Sequence, residues 1–172
     1  GADSVVLCEL CFQAGFHFKM AHCNFQLRGE ESERDEQFVR QLGEKYWTKV
    51  FVKKFDTQKY AEENKISIQV AARKLRYQWF KELLKSDDRQ QMTDDRHLTF
   101  NVQHSTYLLT AHHANDNIET VLMNFFKGTG IKGLQGILSS QGKIIRPLLF
   151  AKREEILSFI KENNLEFVED SS

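Results

Sequence analysis

Cysteine is scarce in this 172-residue chain, and the scarcity narrows the field. Cys8, Cys11 and Cys23 are too few for a disulfide framework and cannot all pair with one another. Cys8 and Cys11 form a C-x-x-C, a redox or metal half-site, but no second pair supplies the further ligands of a zinc or iron–sulfur centre. The three are read as reduced thiols. Long apolar runs are also missing. No stretch approaches the roughly 20 residues needed to cross a bilayer, and nothing near the start is a basic segment followed by an apolar one. The expectation is a cytoplasmic protein with no membrane partner. Net charge is absent too, since 24 Lys and Arg balance 24 Asp and Glu, so bulk electrostatics alone gives no reason to expect a nucleic acid. Nor is there an internal repeat or flexible linker. The length and the 41% hydrophobic content fit one domain with a real core.

Locally the charge is uneven. From Lys65 to Lys85 there are six basic residues against Glu82, and from Lys127 to Lys161 seven against Glu154 and Glu155. On charge alone these are two solvated helix faces balanced by "GEESERDE" elsewhere.

Short apolar runs alternate with amphipathic stretches, the pattern of an α/β fold with a parallel sheet and helices on both faces. After "GADS", the segment "VVLCELCFQAG" predicts a helix ended by Gly15, and "FHFKMAHCNF" a strand. "SERDEQFVRQLGEKY" predicts a helix with Ser32 as N-cap, and "KVFVKKF" a strand. Ser67 is placed to cap a long basic helix over "IQVAARKLRYQWFKELLK", with Val70, Leu75, Trp79 and Leu83 at near-helical spacing. Residues 86–97 are polar and aperiodic and read as a surface loop. Then come a strand in "STYLLTAHH", a helix in "NDNIETVLMNFF", a glycine-rich loop in "KGTGIKGLQGI", an extended "KIIRPLLF", a helix in "KREEILSFIKENN" and a strand toward "FVED". The chain opens on glycine, although a strand normally leads into a phosphate-binding turn in this architecture. It stops at "EDSS" just after an expected strand, so a domain truncated at both ends is expected.

Three stretches carry candidate chemistry. In "GADS" the glycine permits a tight turn, the following helix offers unpaired N–H groups to an anion, and Asp3 can hold magnesium; equally, Asp3 or Ser4 is a plain N-cap. In "AHHANDNIET" the histidines end a strand, and Asp116, Glu119 and Thr120 fall on one helical face. Adjacent His112 and His113 lack the spacing of a zinc protease, and only one of them can face the site from a strand. A carboxylate pair favours magnesium over zinc. In "KGTGIKG", Gly128, Gly130 and Gly133 let backbone approach a phosphate or a base, or simply end a helix and turn.

Taken in order, "GADS", "AHCNFQLRGEESERDEQFV", "AARKLRYQWF", "AHHANDNIETVLMNFFKGTGIKGLQGI", "RPLL" and "EDSS" closely resemble the tRNA(Ile)-lysidine synthetase family, over almost the whole chain. That family belongs to the PP-loop ATP pyrophosphatases, Rossmann-like α/β domains related to adenine nucleotide alpha hydrolases, whose loop reads S-G-G-x-D-S. Here Gly1 to Ser4 match its last four positions. Lys127 stands where the family commonly has arginine and Asn115 where aspartate is frequent, while Cys23 and Phe25 vary the H-x-N-H run.

The resemblance implies a ligase that joins lysine to the wobble cytidine of tRNA(Ile), with ATP and magnesium as cofactors, through an adenylated cytidine that releases pyrophosphate and then AMP. It implies that Gly1, Ala2, Asp3 and Ser4 with Ala21, His22 and Asn24 bind ATP, and that Asp116, Glu119 and His113 are catalytic. Asp3 and Asp116 would hold magnesium, and Arg28, Arg73, Arg76, Lys127 and Lys132 would meet tRNA. Free lysine, tRNA(Ile) and a second copy of the chain, as a homodimer, are the partners it suggests. A PP-loop tRNA thiolase and a degenerate nucleotide- or RNA-binding module are the alternatives.

Overall fold

The computed structural model describes residues 1–94 and 105–169, without the side chains of 87–94, Lys132 and Gly133. The chain divides into two compact units, one of Gly1–Phe16 with Tyr107–Ser172, the other His17–Thr106.

In the second unit, β1 (Met20–Asn24) and β2 (Val50–Lys54) pair in parallel, Met20 opposite Val50 and Asn24 opposite Lys54. A parallel pair needs a crossover, and α2 (Glu30–Lys45) supplies it. The helix starts after Gly29, whose φ of 51° suits a residue without a Cβ, so Ser32 is not the predicted N-cap. It lies inside the first turn, where its hydroxyl accepts from Arg28 N at 3.3 Å. Acids Glu30, Glu31 and Glu33 crowd that turn, where the helix dipole favours them. A short α3 (Thr57–Asn64), which the sequence reading passes over, follows β2; Asp56 caps it, accepting from Lys59 N at 3.1 Å. The long α4 (Ile68–Asp94) begins as expected at Ser67, whose hydroxyl accepts from Val70 N at 3.3 Å.

α4 runs through residues 86–94, where a loop is expected; residues 95–97 of that stretch lie outside the described residues. "SDDRQQMTD" lacks apolar periodicity but contains no glycine or proline to stop the helix. Burial also departs from the expected stripe. Trp79 is buried as expected, but Val70 is exposed and its neighbour Ala71 is buried instead. Aromatic contacts join the ends of β1 and β2 to α4: half-buried Phe25 stacks on buried Phe55 at 5.7 Å between centroids, and Phe55 meets buried Trp79 edge-on at 6.1 Å.

In the first unit, α1 (Ala2–Gln13) buries Val5, Val6, Leu7 and Cys11 and packs on α6 (Arg153–Glu162), which contributes Ile156 and Ile160. Phe16 N donates to Cys11 O at 3.0 Å beyond Gly15, whose φ is +72°. A small sheet has the order β3 (Leu108–Leu109), β5 (Ile144–Ile145), β4 (Ser140–Gln141); β3 and β5 are parallel, β4 and β5 antiparallel. The strand expected in "STYLLTAHH" is thus two residues long. Between the strands stand α5 (Ala114–Phe126) and a 3₁₀ turn (Ile131–Gln135) that packs against it. Toward "FVED", where a strand is expected, residues 167–169 are not a strand, and no strand among the described residues pairs with them; residue 170 lies outside the described residues.

Candidate active site

Two helix N-termini build the site in the first unit. α1 begins at Ala2 with Gly1 as its N-cap, and among the described residues no side chain caps it. Gly1 and Ser4 are exposed, Ala2 and Asp3 half-buried. α5 begins after His113, whose extended backbone (φ −117°, ψ 179°) makes it the N-cap. Asp116 Oδ2 accepts from His113 N at 2.8 Å, and His113 Nδ1 accepts from Asp116 N at 3.4 Å, a reciprocal capping box.

That second bond sets the imidazole. With Nδ1 as acceptor, Nε2 carries the proton, and it lies 3.8 Å from Asp3 Oδ1. The ring is buried, with its side chain 8% exposed, while Asp3 and Asp116 keep 37% and 36% of theirs open to water. A buried imidazole therefore stands between two part-exposed carboxylates, one from each helix start. Of the adjacent pair, His113 takes this position, while His112 turns its Nδ1 to the Thr110 hydroxyl at 3.0 Å.

Glu119 lies exposed one turn along α5 from Asp116. Among the described residues no three His, Cys, Asp or Glu side chains gather to hold a metal ion. The donor set here is two carboxylates, hard oxygen ligands that suit magnesium carried in with phosphates and water better than an all-protein cage.

The other expected residues lie elsewhere. Ala21, His22 and Asn24 are on β1, in the second unit. Asn24 is buried and committed, its amide donating to Glu36 Oε2 at 3.1 Å and its oxygen accepting from Gln26 N at 3.0 Å. Burial lowers the His22 pKa, against the opposing charges of Glu36 and Asp35. Glu36, which the sequence reading does not single out, is a buried carboxylate. Burial alone would push its pKa up, but hydrogen bonds from Arg40 (2.8 Å) and Asn24, with the charge of Lys54, hold it below the usual range. Its only sequence signal is an acid at an inward position of α2.

Arg28 is exposed in the turn before α2. On α4, the Arg73 guanidinium lies 5.1 Å over the Tyr77 ring and Arg76 5.2 Å over Phe25. Lys127 caps the C-terminus of α5, and Gly128 (φ +66°) ends the helix, so this glycine serves the turn. The Lys132 side chain lies outside the described residues.

Burial disfavours the thiolate at all three cysteines. Burial, with Cys11 beside it, pushes Cys8 up to about 12; burial also raises Cys11, and it pushes Cys23 up to about 11 despite the Arg76 charge. A second residue that the sequence reading leaves out is Arg146, buried at 8% exposure immediately after β5; its signal is the arginine of "RPLL".

Comparison with known proteins places the chain in a family. The family model of the PP-loop domain matches residues 1–172. A tRNA(Ile)-lysidine synthase of Bacteroides thetaiotaomicron is 44% identical over 172 residues, 100% of this chain and 37% of that protein. Those of Parabacteroides distasonis and Petrotoga mobilis are 41% and 38% identical, matched over 36% and 50% of their lengths by 100% and 99% of this chain. The chain thus spans about a third to a half of these relatives. Among solved structures, a U34-tRNA thiolase of Methanococcus maripaludis with a [4Fe-4S] cluster superposes with a TM-score of 0.65 at 17% identity, over 98% of this chain and 56% of that one, a likeness of fold. The parallel strand pairs and the match along the whole chain lead to one conclusion: the chain belongs to the PP-loop domain family.

Proposed function

We propose that this chain is the catalytic PP-loop domain of a tRNA(Ile)-lysidine synthetase, a cytoplasmic ligase that joins free lysine to the wobble cytidine of tRNA(Ile) at the expense of ATP. The observation that carries the reading is the Asp3–His113–Asp116 constellation at two helix starts, in a chain whose full length matches lysidine synthases. In the first step the cytidine O2 attacks the α-phosphorus of ATP and pyrophosphate leaves. In the second the lysine amine attacks C2, and the C2–O bond breaks to release AMP.

The first step moves negative charge onto pyrophosphate, and the leading amides of Ala2, Asp3 and Ser4 at the α1 start suit it. Asp3 and Asp116 would hold magnesium, which supplies charge neutralisation on the phosphates. His113 is a positioning residue: bonded through its backbone and Nδ1 to Asp116, it fixes that carboxylate and turns Nε2 toward Asp3. Glu119, exposed one turn on, is the second acid for the lysine ammonium. Ala21, His22 and Asn24 are assigned to ATP, and the Asn24 side-chain amide donates to Glu36. Arg28, Arg73, Arg76, Lys127 and Lys132 are assigned to tRNA phosphates.

The thiolase alternative has no support from the cysteines. A cysteine that carries sulfur works as a thiolate, whereas burial pushes all three thiols up. The test is incubation of the full-length protein with ATP, magnesium, lysine and unmodified tRNA(Ile), followed by mass spectrometry of the anticodon nucleoside. A lysyl adduct on cytidine is expected; a thiolated nucleoside, or none, would overturn the reading.

A further inference from the structure

Arg146 is a buried cation without a counter-ion among the described residues. Its residue is 8% exposed, its Nη1 donates to Leu138 O at 2.7 Å, and its Nε is buried with no hydrogen-bond partner. Among the described residues no carboxylate forms an ion pair with it. Arginine keeps its charge when buried, so such a group cannot relax by losing a proton, and an uncompensated buried charge is costly. Buried polar atoms without partners are rare enough to need a cause, and an anion that binds there is one.

Its place in the fold says which anion. Arg146 directly follows Ile145 of β5, which pairs with Leu109 of the parallel β3, and Thr110 N donates to Ile145 O at 3.0 Å. Arg146 and Thr110 therefore stand together just past the carboxyl ends of two parallel strands, where α/β sheets bind their ligands. The chain leaving Thr110 reaches His113 and Asp116 within six residues. Arg146, His113, Asp116 and Asp3 all belong to the same unit. The burial restricts the ligand further, because an extended RNA backbone cannot be enclosed by a nearly closed side chain, whereas a compact anion can.

We infer that Arg146 is an anion-binding residue for the pyrophosphate portion of the nucleotide, its guanidinium fork completed by phosphate oxygens. The inference rests on the nucleotide reading above and deepens it: the buried arginine is the cation that receives the charge moved onto the leaving group. The competing view is that Arg146 is a brace, since its Nη1 holds Leu138 O and its backbone N–H donates to Ser139 O at 2.8 Å.

Titration calorimetry of the full chain with inorganic pyrophosphate and with ATP, on the wild type, Arg146→Met and Arg146→Lys, separates these views, with thermal melting of each protein. The anion site predicts that Arg146→Met weakens pyrophosphate binding at least about tenfold. It also predicts an unchanged or raised melting point without ligand, because an unpaired buried charge has been removed. Arg146→Lys, which keeps the charge and loses the fork, should fall between them. A brace predicts a lowered melting point in both variants with pyrophosphate affinity unchanged in Arg146→Lys, and that result would overturn the inference even if Arg146→Met does not fold. Wild type that binds ATP but not pyrophosphate would also overturn it while leaving the nucleotide reading intact; wild type that binds neither would remove both.

Discussion

Asp116 does two jobs that one substitution can separate. Its carboxylate caps α5 by accepting from His113 N, and it stands 36% exposed beside His113 Nδ1 at 3.7 Å, where a charge can act on a ligand. Asn keeps an oxygen that can accept the same hydrogen bond but loses the charge. Asp116→Asn should therefore hold the melting point near wild type and lose about a hundredfold in lysidine formation, a barrier increase of roughly 2.7 kcal/mol. Asp116→Ala should lose the cap as well, at about 1 kcal/mol of stability. Turnover and melting measured on both proteins decide this, and near-normal turnover in Asp116→Asn would remove Asp116 from the reacting centre. Glu36 gives the opposite case, an acid tied to stability. Its folded pKa is held below the unfolded value by Arg40 and Asn24, so it contributes stability above the unfolded carboxylate pKa, and that contribution is lost as pH falls through the folded value. Glu36→Gln should be less stable than wild type at neutral pH, and the gap should close in acid, as chemical denaturation across pH would reveal. A constant gap would mean that shape rather than charge is at stake.

Gly43 shows how helix and strand constrain each other. It sits in α2 against β2, and a Cβ there would collide with the Val50 side chain and lie 3.2 Å from Thr48 O. Glycine to alanine inside a helix ordinarily stabilises by about 0.5–1 kcal/mol. Here the sign should reverse, and Gly43→Ala should destabilise by about 1–3 kcal/mol through overpacking, read from a denaturant midpoint. A more stable variant would show that α2 can move away from β2. Elements differ in how far their own residues announce them. α1, β1, β2, α5 and α6 carry local signals: apolar runs of the right length, acids in first turns, Gly15 past a helix end. α3 escapes a sequence reading because its eight residues show no apolar period, although Asp56 before it is a cap. The far end of α4 escapes it because polar helix formers without a buried stripe look like a loop. β3 is only Leu108–Leu109 because strand length is set by a partner elsewhere in the chain, and the partner β5 has two residues. The site follows the same logic: Asp3, His113 and Asp116 announce themselves by residue type at helix starts, whereas Arg146 lies in an apolar stretch, where only the fold reveals that its charge is buried without a counter-ion among the described residues.

At the scale of the whole molecule, a net charge of zero conceals a division of labour. The unit of Gly1–Phe16 and Tyr107–Ser172 holds the paired acids around His113, whereas the unit of His17–Thr106 holds the basic face of α4. On that face Arg73 and Arg76 lie over Tyr77 and Phe25, and among the described residues neither forms an ion pair with a carboxylate. Resting over a ring restrains a guanidinium, which lowers the ordering cost of meeting a phosphate. If the basic unit supplies tRNA affinity and the acidic one the chemistry, the two properties should separate by mutation. Replacing both Arg73 and Arg76 with alanine should weaken tRNA binding and reduce the slope of log affinity against log salt by about 1 for each phosphate no longer neutralised. Pyrophosphate binding should stay at the wild-type level, because no residue of the first unit has changed. Filter binding across a salt series, with pyrophosphate calorimetry on the same protein, checks both halves. An unchanged salt slope would make α4 a solvated surface, and a parallel loss of pyrophosphate binding would place the two arginines on the nucleotide instead of the tRNA.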